Sequence, residues 1–155
     1  IENKIINVVI AGDNVFFEAL QESLDTHKNI NVVKISTTLI DIIEYSENNI
    51  FDVLILDLSF NGESSLDYIK EIKNDKNFKI IILTTLNNSV FKNRVLKNKG
   101  INAFVGKDSK LIKFKEIIID TFYDKLEKES IKKTKLAVDN IKFTKRKIDV
   151  LQLLY

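Results

Sequence analysis

The stretch VVIAGDN, Val8 to Asn14, decides how the rest of the chain is read. Its apolar residues run without interruption to Ala11, stop at Gly12 and hand over to a single aspartate, Asp13. An unbroken Val/Ile run of this length is the pattern of a strand covered on both faces. A glycine and an acidic residue at its carboxyl end suggest a turn that opens on a site. One carboxylate is little for such a site, so the remaining groups have to come from elsewhere.

Working outward, runs of the same kind stand at Ile5 to Ala11, Asn31 to Ile35, Asp52 to Leu56, Lys79 to Leu83 and Ala103 to Gly106. Helical spacing of apolar residues separates them: Phe17, Leu20 and Leu24; Leu39, Ile42 and Ile43; Leu66, Ile69 and Ile72; Phe91 and Val95; Leu111, Phe114, Ile118 and Phe122. Strand and helix thus alternate five times. The fold class is therefore α/β, with a central five-stranded parallel sheet, helices on both faces and right-handed crossovers. In such sheets ligands sit beyond the carboxyl ends of the strands.

Composition limits the remaining possibilities. The chain has 155 residues, 45% of them hydrophobic, enough for one domain with a full core and a small appendage. It has no Cys, so disulfides and thiolate metal sites are excluded. No secretory signal and no run long enough to cross a bilayer is visible, and the expectation is a cytoplasmic protein without membrane contact. The net charge of +2 is uneven: residues 1–120 carry 15 basic and 17 acidic side chains, and residues 121–155 carry 9 and 5. After Asp124 the stretch DKLEKESIKKTKLAVDNIK could extend the last helix or form a linker.

The strand ends gather Asp13 after the first, Asp57 at the third, Thr84 and Thr85 at the fourth and Lys107 at the fifth. Together these types suit phosphoryl transfer. A carboxylate can attack phosphorus, a second can hold Mg2+, a hydroxyl can bond a phosphoryl oxygen and an ammonium can neutralise developing charge. Singly, each has a plain structural role: Asp13 and Thr85 would serve as helix caps, Lys107 as a surface cation. Their common location favours the site. His27, the only histidine, falls among polar residues near the end of the first helix and reads as a surface group; the four Tyr are scattered and form no stacking platform.

The motifs AGDN at 11–14, ILDLSFNG at 55–62, ILTT at 82–85 and AFVGKD at 103–108 resemble those of receiver domains of two-component response regulators. The resemblance covers Ile5 to about Asp124 and implies a flavodoxin-like (βα)5 fold. It implies that Asp57 accepts a phosphoryl group from a sensor histidine kinase. Asp13, Asp57 and the main-chain carbonyl of Ser59 would ligate Mg2+. Thr84 would bond the phosphoryl oxygens, Lys107 would pair with the acyl phosphate, and Phe104 would be the aromatic that moves with Thr84. Such a domain is no enzyme beyond slow autodephosphorylation, and a homodimer is expected.

The tail FTKRKIDVLQLLY resembles the opening of the helix-turn-helix domain of the NarL/LuxR group. The expected organisation is a receiver at 1–124, a charged helical linker at 125–142 and an incomplete DNA-binding domain at 143–155. The recognition helix would lie beyond Tyr155, so DNA would be contacted only through an output domain missing from this chain. As a whole, the chain reads as a response regulator phosphorylated on Asp57 to control transcription.

Receivers usually carry two adjacent acidic residues after the first strand, and here Gly12 takes the first position. Phe60 and Asn61 stand where Met-Pro is common, and the span from Asp57 to Thr84 is about one residue short, leaving Thr84 and Thr85 both open as the switch hydroxyl. An atypical pseudo-receiver that works by dimerisation or a ligand, without phosphorylation, is the alternative. A flavodoxin-like cofactor protein fits less well, because GDNVFF offers no phosphate-cradling loop after the first strand.

Overall fold

The structure is a computed structural model that describes residues 4–12, 16–60, 62–85, 93, 95, 97, 98 and 100–138. Readings that fall on Asp13, Phe91 and the tail at 143–155 lie outside the described residues. Two compact units are distinguished, residues Ile1–Phe122 and Tyr123–Tyr155.

In the first unit the strands β1 (Ile6–Ala11), β2 (Ile30–Ser36), β3 (Val53–Asp57), β6 (Lys79–Thr84) and β7 (Ala103–Gly106) form one sheet in the order β2-β1-β3-β6-β7, with every pairing parallel. This is the flavodoxin-like architecture expected from the alternating pattern. The helices are α1 (Phe16–Asp25), α2 (Leu39–Asn48), α3 (Ile69–Lys73) and α4 (Leu111–Val138). Asn93 and Val95 are also helical, and Val95 is buried. Helix α4 continues to Val138, so the charged stretch after Asp124 is helical at least that far.

Alternation along the strands divides the core. Val9, Ala11, Leu54, Leu56, Ile80 and Ile82 form a cluster with Leu39 and Ile42 of α2 and Ile69 and Ile72 of α3. Residues of the opposite parity, Val8, Ile10, Val53, Ile55, Ile81 and Leu83, therefore face the other way. Phe17, Leu20 and Leu24 of α1 and Phe114, Ile118 and Phe122 of α4 are buried as well. Strand β3 is buried throughout, which explains why Asp52 to Leu56 reads as a run rather than an alternation.

The edge strand β2 skips a residue against β1: Val8 pairs with Val32 and Val9 with Lys34, leaving Val33 exposed. Helix α2 is capped by Thr38, whose Oγ1 accepts a hydrogen bond from Asp41 N at 3.1 Å.

Two expectations are corrected, and one element is new. Leu111 does not share the buried face of Phe114, Ile118 and Phe122; it is 42% exposed, because it opens the helix, a turn before Phe114 reaches the sheet. The third helical pattern is split, with a 3-10 turn at Ser65–Tyr68 preceding α3, so Leu66 is only half-buried. A short antiparallel hairpin, β4 (Ser59–Phe60) with β5 (Glu63–Ser64), was not anticipated; Gly62 in its turn has φ +82°, a left-handed value that glycine adopts without strain. Asn74 and Asp75 end α3 with positive φ in the absence of a glycine.

Phe114→Ala should lower the unfolding free energy by about 3–5 kcal/mol, whereas Leu111→Ala should change it by less than about 0.5 kcal/mol. Urea titration followed by circular dichroism checks both; equal effects would contradict the burial of the helix.

Candidate functional site

Because β3 is enclosed by β1 and β6, its last residue ends inside the protein, and Asp57 is only 1% exposed. Its carboxylate cannot be left uncompensated there. Register supplies the partner. Asp57 pairs with Leu83, Thr84 pairs with Gly106, and Lys107 N donates to Thr84 O at 2.8 Å as the chain leaves β7. The Lys107 side chain reaches back, with Nζ 2.8 Å from Asp57 Oδ2.

The two carboxylate oxygens differ. Oδ1 accepts a hydrogen bond from Ser59 N at 3.2 Å. Oδ2 is buried and accepts no aligned hydrogen bond among the described residues; Lys107 meets it as an ion pair by distance alone. A carboxylate oxygen held in this way, near the exposed residue Ser59, suits a hard cation that takes oxygen ligands and keeps several waters. Among the described residues no group of three or more His, Cys, Asp or Glu gathers into a metal cluster. Asp57 and the Ser59 carbonyl are the described residues that fit such an ion.

The loop after Asp57 is fixed from beneath. Ser65 is fully buried, and its Oγ lies 2.7 Å from Asp57 O and 3.1 Å from Leu58 O. Ser65 N donates to Leu58 O at 2.9 Å, and Leu58 N donates to Leu83 O at 2.9 Å. One serine thus ties the end of β3 to the far side of the hairpin.

Thr84 is buried at the end of β6, whereas Thr85 is exposed. Phe104 pairs with Ile82 and packs partly buried against the α2/α3 cluster, so by alternation it shares a sheet face with Thr84. Gly12 follows the Ala11↔Leu56 pair and is therefore level with Asp57 and on the same face. A Cβ at Gly12 would fall against the edge of the Phe17 ring, well inside van der Waals contact with its Cε2 and Cζ atoms.

The structure thus brings Asp57, Ser59, Thr84 and Lys107 to one edge of the sheet, and Gly12 with them. Ser65 and Phe17 were not singled out from the sequence. Ser65 was one hydroxyl in a polar run, ESS, and the five-residue spacing of Gly12 and Phe17 carries no recognisable signal. His27 serves the turn after α1, its Nδ1 accepting from Asn29 N at 3.2 Å. An open hollow of about 770 Å³ along α3, lined by Leu66, Lys70, Asn74 and Asn98 among others, includes none of the strand-end residues.

The profile of the response regulator receiver domain matches residues 8–119. This chain belongs to that family. The receiver is 32% identical over 106 residues to the transcriptional regulatory protein DesR of Bacillus subtilis, a match covering 68% of this chain and 52% of DesR. The chain therefore spans about half the length of that curated relative. Among solved structures, the receiver domain of NarL from Mycobacterium tuberculosis superposes with a TM-score of 0.68 at 18% identity, covering 76% of this chain and 95% of that one. The isolated receiver domain of RcsB from Salmonella enterica, solved with the phosphomimetic BeF3−, gives a TM-score of 0.62 at 29% identity over 70% and 81% of the two chains. The fold and the family are those that the sequence motifs suggested. No helix among the described residues is long and apolar enough to cross a membrane.

Ser65→Ala should destabilise the receiver by about 1–3 kcal/mol, the cost of leaving a buried carbonyl without its donor. Denaturant unfolding measures it, and a change below about 0.3 kcal/mol would mean that the hydroxyl does not hold the loop.

Proposed function

We propose that this receiver accepts a phosphoryl group on Asp57 from a histidine kinase and uses it to control transcription through an attached DNA-binding output domain. The observation that carries the reading is the pairing of the Asp57 carboxylate, buried at a strand end, with the Lys107 ammonium at 2.8 Å. A carboxylate oxygen of Asp57 attacks phosphorus, the P–N bond to the kinase histidine breaks, and the acyl phosphate forms. Lys107 transfers its pairing from the free carboxylate to the phosphorylated product and offsets the added charge. Ser59 N, already hydrogen-bonded to Oδ1, steadies the carboxylate during the attack.

Mg2+, held by Asp57, the main-chain carbonyl of Ser59 and Asp13, would supply further neutralisation of the phosphoryl oxygens. The burial of Thr84 and exposure of Thr85 support Thr84 as the hydroxyl that bonds the phosphoryl group. Its shared sheet face with Phe104 supports their coupled movement. The use of a phosphomimetic with the RcsB receiver and the regulatory description of DesR agree with this assignment. A homodimer is the proposed signalling form.

One observation favours a second reading, a pseudo-receiver that dimerises or binds a ligand without phosphorylation: position 12 offers no carboxylate. The two readings separate in one experiment. Incubation with acetyl phosphate and Mg2+ should add one phosphoryl group by intact mass, and Asp57→Asn should take up none while keeping its circular dichroism spectrum. No gain at any Mg2+ concentration would sink phosphoryl acceptance and leave the pseudo-receiver.

A further inference from the structure

We infer that Ser65 is a positioning residue for phosphoryl acceptance: by gripping the Leu58–Ser59 peptide it aims the Ser59 N–H at the Asp57 carboxylate and so sets how fast that carboxylate reacts. The inference rests on the proposed reading of Asp57 as the phosphoacceptor.

Two roles for a hydroxyl at this point can be separated. Ser65 opens the 3-10 turn that leads into α3, and a serine at a helix start ordinarily serves as its cap. Here the cap position belongs to Ser64, which makes no side-chain cap hydrogen bond, while the Ser65 hydroxyl turns back toward β3. Ser65 is also fully buried, so a hydrogen bond lost there is not made good by bulk solvent. Its hydroxyl thus serves the end of β3 and not the helix that it opens.

Two consecutive peptide units carry the effect. A trans peptide is planar, with its C=O and N–H pointing in opposite directions, so holding one end aims the other. In the Asp57–Leu58 unit, Ser65 Oγ holds the carbonyl at 2.7 Å, and the N–H donates to Leu83 O at 2.9 Å. That fixes the backbone that carries the carboxylate. In the Leu58–Ser59 unit, the carbonyl accepts from Ser65 N at 2.9 Å and lies 3.1 Å from Ser65 Oγ, while the N–H donates to Asp57 Oδ1 at 3.2 Å. Donors on that carbonyl polarise the N–H at the far end and strengthen its bond to the carboxylate. Ser65 therefore governs the rotation of the Asp57 side chain through a peptide, without touching it. A nucleophile whose orientation is set before the phosphodonor arrives reacts faster than one that must find it.

The test compares the natural chain with Ser65→Ala, Ser65→Cys and Ile118→Val, by the rate of labelling with acetyl phosphate at saturating Mg2+ and by the amide proton resonance of Ser59. Cysteine nearly keeps the volume of serine and replaces a strong donor with a weak one, so it guards against loss of fold in the alanine variant. Ile118→Val thins the buried face of α4 and controls for lost stability alone. Both Ser65 variants should label roughly tenfold more slowly at saturation, with the half-saturating acetyl phosphate concentration unchanged, because orientation is lost and donor binding is not. Their Ser59 amide proton should move upfield as its bond to Asp57 weakens. Ile118→Val should match the natural chain in both readouts. Labelling of the Ser65 variants at the natural rate, an unmoved Ser59 resonance, or equal slowing in Ile118→Val overturns the inference. If the natural chain itself gains no phosphoryl group, Asp57 as phosphoacceptor fails, and the Ser59 resonance alone decides whether Ser65 aims that N–H.

Discussion

A carboxylate buried at the end of a fully covered strand is the constraint around which this receiver is organised. Left without a counter-charge, Asp57 would cost the fold several kcal/mol. The compensation does not come from its own element. It comes from Lys107, fifty residues further along, and depends on every pairing between them. β3 must register on β6 so that Leu83 lies beside Asp57, and β6 on β7 so that Gly106 lies beside Thr84. Lys107 N must then bond Thr84 O before the side chain can turn back to Asp57. A slip of one residue in either pairing would send the ammonium to the wrong face. The ion pair and the sheet register therefore specify each other.

The opposite end of the site is held by a neutral group. Ser65 donates its hydroxyl to the carbonyl of Asp57 and also approaches that of Leu58, so the chain that leaves β3 returns to it eight residues later. The β4/β5 hairpin fills the interval and leaves Ser59 N aimed at Asp57 Oδ1. Charge from one side and hydrogen bonds from the other confine the same carboxylate. A side chain so confined has little conformational freedom left to lose.

How much of this was legible in the sequence depended on the range of the interaction. Nearly continuous apolar runs fixed the strands to within a residue or so, because parallel strands covered on both sides need no polar face. The groups at the strand ends followed from the topology, and Asp57, Thr84 and Lys107 were readable as a set before any coordinate. Where local spacing competed with tertiary packing, the reading was poorer. Leu111 fits the helical period yet opens its helix in solvent, and Leu66 falls in a tighter turn where 3.6-residue periodicity does not apply. The hairpin was hidden because SFNGES offers too few residues for alternation to show. The partnership of Gly12 with Phe17 was out of reach altogether, since a missing side chain leaves no trace of what fills its space.

That partnership also bears on which neighbouring sequences the chain can reach. Position 12 can acquire a side chain only if the Phe17 ring shifts, because its Cε2 and Cζ atoms lie close to where the first carbon would begin. Nor can Phe17 shrink first without emptying a fully buried site, at about 3–5 kcal/mol out of a total stability of about 5–15. Each single step leads down, and only the pair of steps leads across. The two positions are epistatic by geometry, and the chain with one acidic residue after its first strand is separated from the chain with two by a valley in stability.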